Sequence, residues 1–210
     1  MQTGKIYLQQ ILKGGLLNAN CHRYIILNPA PQPTLTTDRL LLRRFMMDDA
    51  QAMYDKWASD PSAVRCLTWN VHRDVEETKE ILRAWITEQD RPYTYRWAIT
   101  LDGELIGMIS CRKIDTDTGR GELGYVLSRS FWNQGIMPEA VRAVIGFFFT
   151  DVHFNCVCIS HVAENAGSGR VAEKCGMQCE GTPRAAFATN ADGIRDLKIW
   201  SILREEWERI

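Results

Sequence analysis

Between residues 95 and 128 apolar and polar side chains alternate in three runs split by turn-forming residues, and this stretch constrains the fold more than any other. Tyr95 to Leu101 is the first run, Glu104 to Ile114 follows the Asp102-Gly103 turn, and Glu122 to Ser128 follows a loop at Asp115 to Gly121. Strands joined this closely pair with one another, so the pattern predicts an antiparallel meander. The period then changes. From about Pro138 to Phe149 an apolar stripe of Met137, Ala140, Val141, Val144, Ile145 and Phe148 recurs at helical spacing, and Cys156 to Val162 returns to strand. A strand–helix–strand unit calls for a right-handed crossover between parallel neighbours, so the sheet is mixed.

The flanks fit the same plan. Leu40 to Phe45 reads as a strand, and Asp48-Asp49 caps a helix with Ala50, Met53, Tyr54, Trp57 and Ala58 on its apolar face, stopped at Asp60-Pro61. Asp74 caps a second helix that carries Thr78, Ile81, Leu82, Trp85 and Ile86 on one side and charges on the other. After Val162 come a short helix from Ala166 to Cys175, stopped by Gly176, and two final strands around an Asp192-Gly193 turn. The fold class is α/β (α+β) in one domain, residues 35–210. Residues 1–34 read as an N-terminal arm and a Pro-rich linker, because Pro29, Pro31 and Pro33 exclude helix and central strand.

Composition narrows the function. The 210 residues carry Lys+Arg 25 against Asp+Glu 26, a formal charge of −1, so no long-range field favours nucleic acid or a lipid surface. No apolar run approaches the roughly 20 residues of a membrane span, and no signal peptide is read. Seven cysteines, an odd count in a chain of this size, suit reduced thiols in a cytoplasmic protein. Gly119-Arg120-Gly121-Glu122-Leu123-Gly124 matches G-x-G-x-x-G but opens a strand rather than a helix, so it is no dinucleotide loop. Cys156 and Cys158 with Cys175 and Cys179 lack the tight knuckles of a zinc site, and the four histidines show no metal spacing.

One segment points to chemistry. The helix near Pro138 is preceded by Gln134-Gly135-Ile136-Met137, with no Ser, Thr or Asp to cap it. Its orphan amides and dipole form an anion site, and Gly135 lets a ligand approach the backbone; a turn with water on its amides explains the same residues.

Glu122-Leu123-Gly124-Tyr125-Val126-Leu127, then Phe131-Trp132-Asn133-Gln134-Gly135-Ile136-Met137-Pro138-Glu139-Ala140, then Asn165-Ala166-Gly167-Ser168 with Glu173-Lys174-Cys175-Gly176-Met177 resembles the GNAT acetyltransferases. Within that family the similarity is to the RimJ/RimL type of ribosomal-protein N-acetyltransferase, and it runs from about Thr37 to Trp207. The resemblance implies a mostly antiparallel sheet of about six to seven strands with about four helices. It implies acetyl-coenzyme A as co-substrate, its pyrophosphate held by Asn133, Gln134, Gly135, Ile136, Met137 and Glu139. The pantetheine arm would lie between Tyr125, Val126 and Leu127 on one strand and Ile159 to Ala163 on another, with Asn165, Arg170 and Lys174 near it.

The reaction needs a base, because an amine is protonated at neutral pH. Glu122 is the candidate, and a charged strand end is the alternative reading. The oxyanion needs a preorganised donor, and the resemblance implies that backbone N–H groups of the Tyr125 to Leu127 strand supply it. Many members of the family place a tyrosine where this chain has Ala172, so Ser168, which matches the Asn-x-x-Ser motif, becomes the candidate acid; a helix-end hydroxyl is its alternative. The acceptor expected is a protein N-terminal α-amine or else a small amine such as a polyamine, aminoglycoside or amino acid derivative. An acyl-coenzyme A sensor without catalysis is the reading from another class. Trp69, Tyr93, Tyr95 and Phe187 are expected around the acceptor, with a place in the core as their alternative reading, and the partners are acetyl-CoA, the amine acceptor and a second copy of the chain, with no nucleic acid and no membrane.

Overall fold

The computed structural model describes residues 26–210, so the part of the arm before residue 26 lies outside the described residues. The chain enters at β1 (Leu35–Thr36), turns into β2 (Leu40–Arg43), and passes through α1 (Asp49–Met53), α2 (Pro61–Val64) and α3 (Val75–Glu88). The predicted meander follows as β3 (Arg96–Leu101), β4 (Glu104–Asp115) and β5 (Arg120–Leu127), each antiparallel to the next. Then come α4 (Ile136–Phe147), β6 (Cys156–Val162), α5 (Ala166–Lys174), β7 (Gln178–Gly181), the short pair β8 (Phe187–Thr189) and β9 (Gly193–Arg195), β10 (Leu197–Leu203) and α6 (Arg204–Trp207).

Eight strands form one sheet in the order β1-β2-β3-β4-β5-β6-β10-β7. Its parallel contact is β5 with β6, across the helix the sequence places between them. Two expectations need correction. The Asp192-Gly193 turn does not join the last strands of the main sheet; it closes the separate β8–β9 hairpin. The main sheet instead gains β7, which is largely exposed and carries no alternation, and β10, which inserts between β6 and β7. Asp60-Pro61 also does more than stop a helix. Asp60 accepts from the Ser62 N–H at 2.8 Å and Pro61 takes the first helical position, so the same pair starts α2.

Both faces of the sheet are covered. Against one lie α4 and α5 with Trp97, Ile109, Leu123, Phe148 and Phe154 fully buried; against the other lie α1 and α3 around Trp57 and Leu82. Each large apolar side chain removed from water in this way contributes about 1.5–3 kcal/mol. Phe147, Phe148 and Phe149 are all buried, and the helix widens to a π-turn over Phe148–Val152.

The proline-rich stretch is irregular, as its composition requires, yet it is bound to the body. Gln32 exchanges two hydrogen bonds with the Arg96 backbone, Trp97 Nε1 donates to the Pro33 carbonyl at 2.7 Å, and Tyr95 Oη donates to that of Ala30 at 3.0 Å. Among the described residues no helix is long and apolar enough to cross a membrane.

Candidate active site

The parallel pairing of β5 and β6 ends early. Leu123 opposite Ile159 is its last pair; from Gly124 onward β5 pairs only with β4, and from Ser160 onward β6 pairs only with β10. The two strands therefore part, and backbone groups on their facing edges are left for a ligand. A cavity of about 390 Å³ fills the gap and extends over the first turn of α4 and the first turns of α5. Tyr125, Val126, Leu127, Asn133, Gln134, Gly135, Ile136, Met137, Asn165, Ser168, Arg170 and Lys174 all line it.

The turn into α4 is built to present backbone. Asn133 (φ 61°) and Gly135 (φ 75°) are both left-handed, the conformation Asn tolerates and Gly adopts freely. No side chain caps α4. Pro138 has no N–H, so the amides of Ile136 and Met137 in the first turn are the ones without intrahelical partners, and both residues line the cavity at the positive end of the helix. Trp132 ties the turn to the end of β5 by donating from Nε1 to the Leu127 carbonyl at 2.8 Å. Arg170 reaches across from α5 to Asn133 Oδ1 at 3.4 Å, which brings two of the sequence candidates together.

Glu139 is placed differently from the other candidates. Its carboxylate turns away from the cavity and accepts from Thr37 Oγ1 (2.5 Å) and from the Arg39 backbone (3.1 Å) and Nε (2.7 Å). Burial opposes its charge, yet Thr37 and Arg39 together hold the carboxyl below its ordinary range. Arg39 Nη1 also donates to the Gln134 carbonyl at 3.1 Å, so this clamp holds the turn from behind.

On α5, Asn165 is the N-cap, its Oδ1 accepting from the Ser168 N–H at 3.2 Å. The Tyr125 hydroxyl, from β5, lies beside Ser168 but makes no hydrogen bond of good geometry; burial pushes the phenol well above its usual range. Glu122 stands one layer behind the cavity wall, where it accepts from Arg112 and from Ser160 Oγ, with Lys113 Nζ 3.9 Å away. Arg112 and Ser160 are themselves in the wall. The sequence assigns no site role to Arg112 or Arg39, and it places Ser160 only within the Ile159 to Ala163 stretch expected along the pantetheine arm.

The far end of the cavity is formed by Ser62, Ala63, Arg65, Cys66 and Leu67 around α2, with Phe187 from the hairpin. Arg65 pairs with Asp192, and Asn190 Nδ2 donates to the Trp69 carbonyl, so the hairpin is fastened to this loop. Phe187 is thus where it was expected. Tyr93 and Tyr95 are not: Tyr95 stacks on Trp97 and meets Phe148 edge-on in the core, Tyr93 packs against that core, and Trp69 packs on His72. The reason is β3 itself, which directs the residues preceding it under the sheet. Burial pushes the Cys66 thiol up, away from the thiolate form. No group of three metal-ligating side chains occurs among the described residues.

The sequence profile of the acetyltransferase (GNAT) domain matches residues 39–178. The chain is 28% identical over 176 residues to the uncharacterized N-acetyltransferase p20 of Bacillus licheniformis, covering 83% of this chain and 98% of that protein. It is 28% identical over 126 residues to the ribosomal-protein-serine acetyltransferase of Escherichia coli (strain K12), covering 60% and 70%. Its fold matches that of RimL, a ribosomal L7/L12 α-N-protein acetyltransferase solved with coenzyme A, at a TM-score of 0.74 and 22% identity, over 81% of this chain and 98% of that one. The microcin C7 self-immunity acetyltransferase MccE, solved with acetyl-CoA and AMP, has a TM-score of 0.73 at 18% identity, over 80% and 93%. With the parted strands, the uncapped helix turn and this profile match in place, the chain belongs to the GNAT family of acetyltransferases, enzymes whose acetyl donor is acetyl-coenzyme A.

Proposed function

We propose that the protein transfers the acetyl group of acetyl-CoA to the N-terminal α-amine of a protein, of the kind its ribosomal-protein relatives are named for. The observation that carries the reading is one continuous cavity that joins the uncapped first turn of α4 to the gap between β5 and β6 and ends at α2 and the hairpin. The pyrophosphate meets the amides of Ile136 and Met137 and the side chain of Arg170. The pantetheine arm pairs with the free edges of Tyr125 to Leu127 and of β6. The amine enters from the α2 side.

The base must act through the wall, because Glu122 does not reach the cavity. Ser160 does, and it donates to Glu122. The α-amine attacks the thioester carbon in its neutral form, and the proton its nitrogen sheds as the N–C bond forms passes to Ser160 Oγ while the Ser160 proton passes to Glu122. An α-amine, with a pKa of about 8, is already about one-tenth neutral at pH 7, against about one part in 2,500 for a lysine-type amine. A carboxylate, a weak base, is matched to the first.

Mass spectrometry of peptides with free Ser, Ala or Thr N-termini, spermidine and an aminoglycoside, each incubated with enzyme and acetyl-CoA, tests this. Acetyl on a peptide N-terminus alone supports the reading. Acetyl on the small amines alone moves the acceptor to that class, and binding of acetyl-CoA with no transfer to any of them favours a sensor.

A further inference from the structure

Three buried side-chain polar atoms among the described residues lack a hydrogen bond: Trp57 Nε1, Tyr125 Oη and Asn190 Oδ1. Of their residues, Tyr125 alone lines the active-site cavity. A buried hydroxyl without a partner destabilises the free protein, and phenylalanine would fill the same space without that cost. The polar neighbour is Ser168, whose backbone N–H, and not its hydroxyl, is held by Asn165. Ser168 Oγ is thus free to rotate among its rotamers until something selects one.

We propose that Tyr125 is a positioning residue for the departing sulfur: with the donor bound, its O–H donates to Ser168 Oγ, so that the Ser168 O–H points at the coenzyme A sulfur. This rests on the acetyl-transfer reading and on Ser168 as the group facing the thiolate. In the step, the N–C bond forms, the C–S bond breaks and sulfur leaves with the electron pair. The nucleophile is the neutral amine; the one proton its nitrogen sheds goes by way of Ser160 to Glu122, and the thiolate is stabilised by the hydrogen bond from Ser168. Tyr125 neither gains nor loses a proton. Chemistry decides against a direct proton transfer: a thiol ionises near pH 8.5 and a phenol near 10, so passing a phenolic proton to a thiolate runs uphill even in water. Burial steepens that slope and keeps the phenol neutral, which is what a permanent donor requires.

The test compares wild type, Tyr125→Phe, Ser168→Ala and the double variant by turnover and by the pKa of bound coenzyme A, read from thiolate absorbance against the desulfo-coenzyme A complex. Tyr125→Phe should lower kcat about tenfold with the KM for acetyl-CoA within about twofold, and raise the bound thiol pKa by about one pH unit. It should leave Tm unchanged or raise it, since an unpaired buried hydroxyl is removed. The double variant should match Ser168→Ala alone, because Tyr125 acts through that hydroxyl. Losses that multiply in the double variant, or an unchanged kcat and thiol pKa in Tyr125→Phe, overturn the proposal. The thiol measurement needs no acceptor, so a failed acceptor search leaves it standing; wild-type protein that does not bind coenzyme A sinks both this proposal and the acetyl-transfer reading.

Discussion

Arg39 grips Glu139 through Nε at 2.7 Å and Nη2 at 2.6 Å, joining the start of β2 to the first turn of α4 across 100 residues of sequence. The same guanidinium holds the Gln134 carbonyl, so the turn into α4 is shaped by a contact on the side away from the cavity. Replacing Arg39 with alanine leaves a largely buried carboxylate short of its strongest partner. The Arg39 side chain is 45% exposed, which limits the loss to about 1 kcal/mol of stability. We expect the affinity for acetyl-CoA to fall about three- to tenfold, a loss of roughly 1 kcal/mol on the binding scale, while kcat at saturation holds. Calorimetric titration with acetyl-CoA and a thermal melt read the two effects separately, and an unchanged affinity rejects the clamp.

Gly135 sits at φ 75°, where a side chain is strained whatever space surrounds it, and an added Cβ would stand 3.7 Å from Arg39 Nη2. Gly135→Val should cost about 1–2 kcal/mol of stability through the backbone alone. Coenzyme A affinity should drop by at least about tenfold, as the amides of Ile136 and Met137 turn from the ligand. Isothermal titration with coenzyme A and with 3′-dephospho-coenzyme A checks this, and both ligands should weaken equally because the turn serves the pyrophosphate that they share.

Ser160→Ala removes the group through which Glu122 meets the cavity. It and Glu122→Gln should each lower kcat by about 10- to 10⁴-fold, with little change in the KM for acetyl-CoA. Steady-state kinetics on the acceptor found by mass spectrometry provides the measurement. Full activity in Ser160→Ala would mean that the proton takes another route.

Burial lowers the pKa of both His72 and His161. The unfolded chain takes up these protons near pH 6.5, the folded protein only at lower pH. Between those values the unfolded state holds more protons, so this stability is complete above about pH 6.5 and is lost as pH falls through the folded values. His161 has a visible reason: its Nε2 accepts from Trp200 Nε1 at 3.0 Å, which a protonated ring cannot do. Urea midpoints at pH 7.5, 6.5 and 5.5 should fall with pH, and His161→Gln should flatten the slope. An equal slope in both proteins rules out His161 as a source.

Much of the architecture was legible because it is local. Alternation along β3, β4 and β5, the Asp102-Gly103 turn and the apolar stripe of α4 are properties of contiguous residues, and the structure reproduces them within a residue or two. The uncapped end of α4 was legible for the same reason, since a cap lies within four residues of the amides it serves. The insertion of β10 between β6 and β7 was not legible, because β7 carries no alternation and its pairing is settled by distant backbone. Tyr95 was misassigned because an aromatic side chain near a strand start suits a pocket and a core equally well.

By itself the sequence determined the β3–β4–β5 meander with α4 and β6 after it, the glycine and asparagine that let the turn adopt left-handed angles, and the absence of a capping side chain. Tertiary structure alone decided where β5 and β6 part, that Glu139 faces Arg39 rather than the ligand, that Ser160 stands between Glu122 and the cavity, and that the Tyr125 hydroxyl comes to rest beside Ser168. The physical reason is range. Backbone preferences act over a few residues, whereas side-chain hydrogen bonds and ion pairs join groups that only the packing of a whole sheet brings within 3 Å.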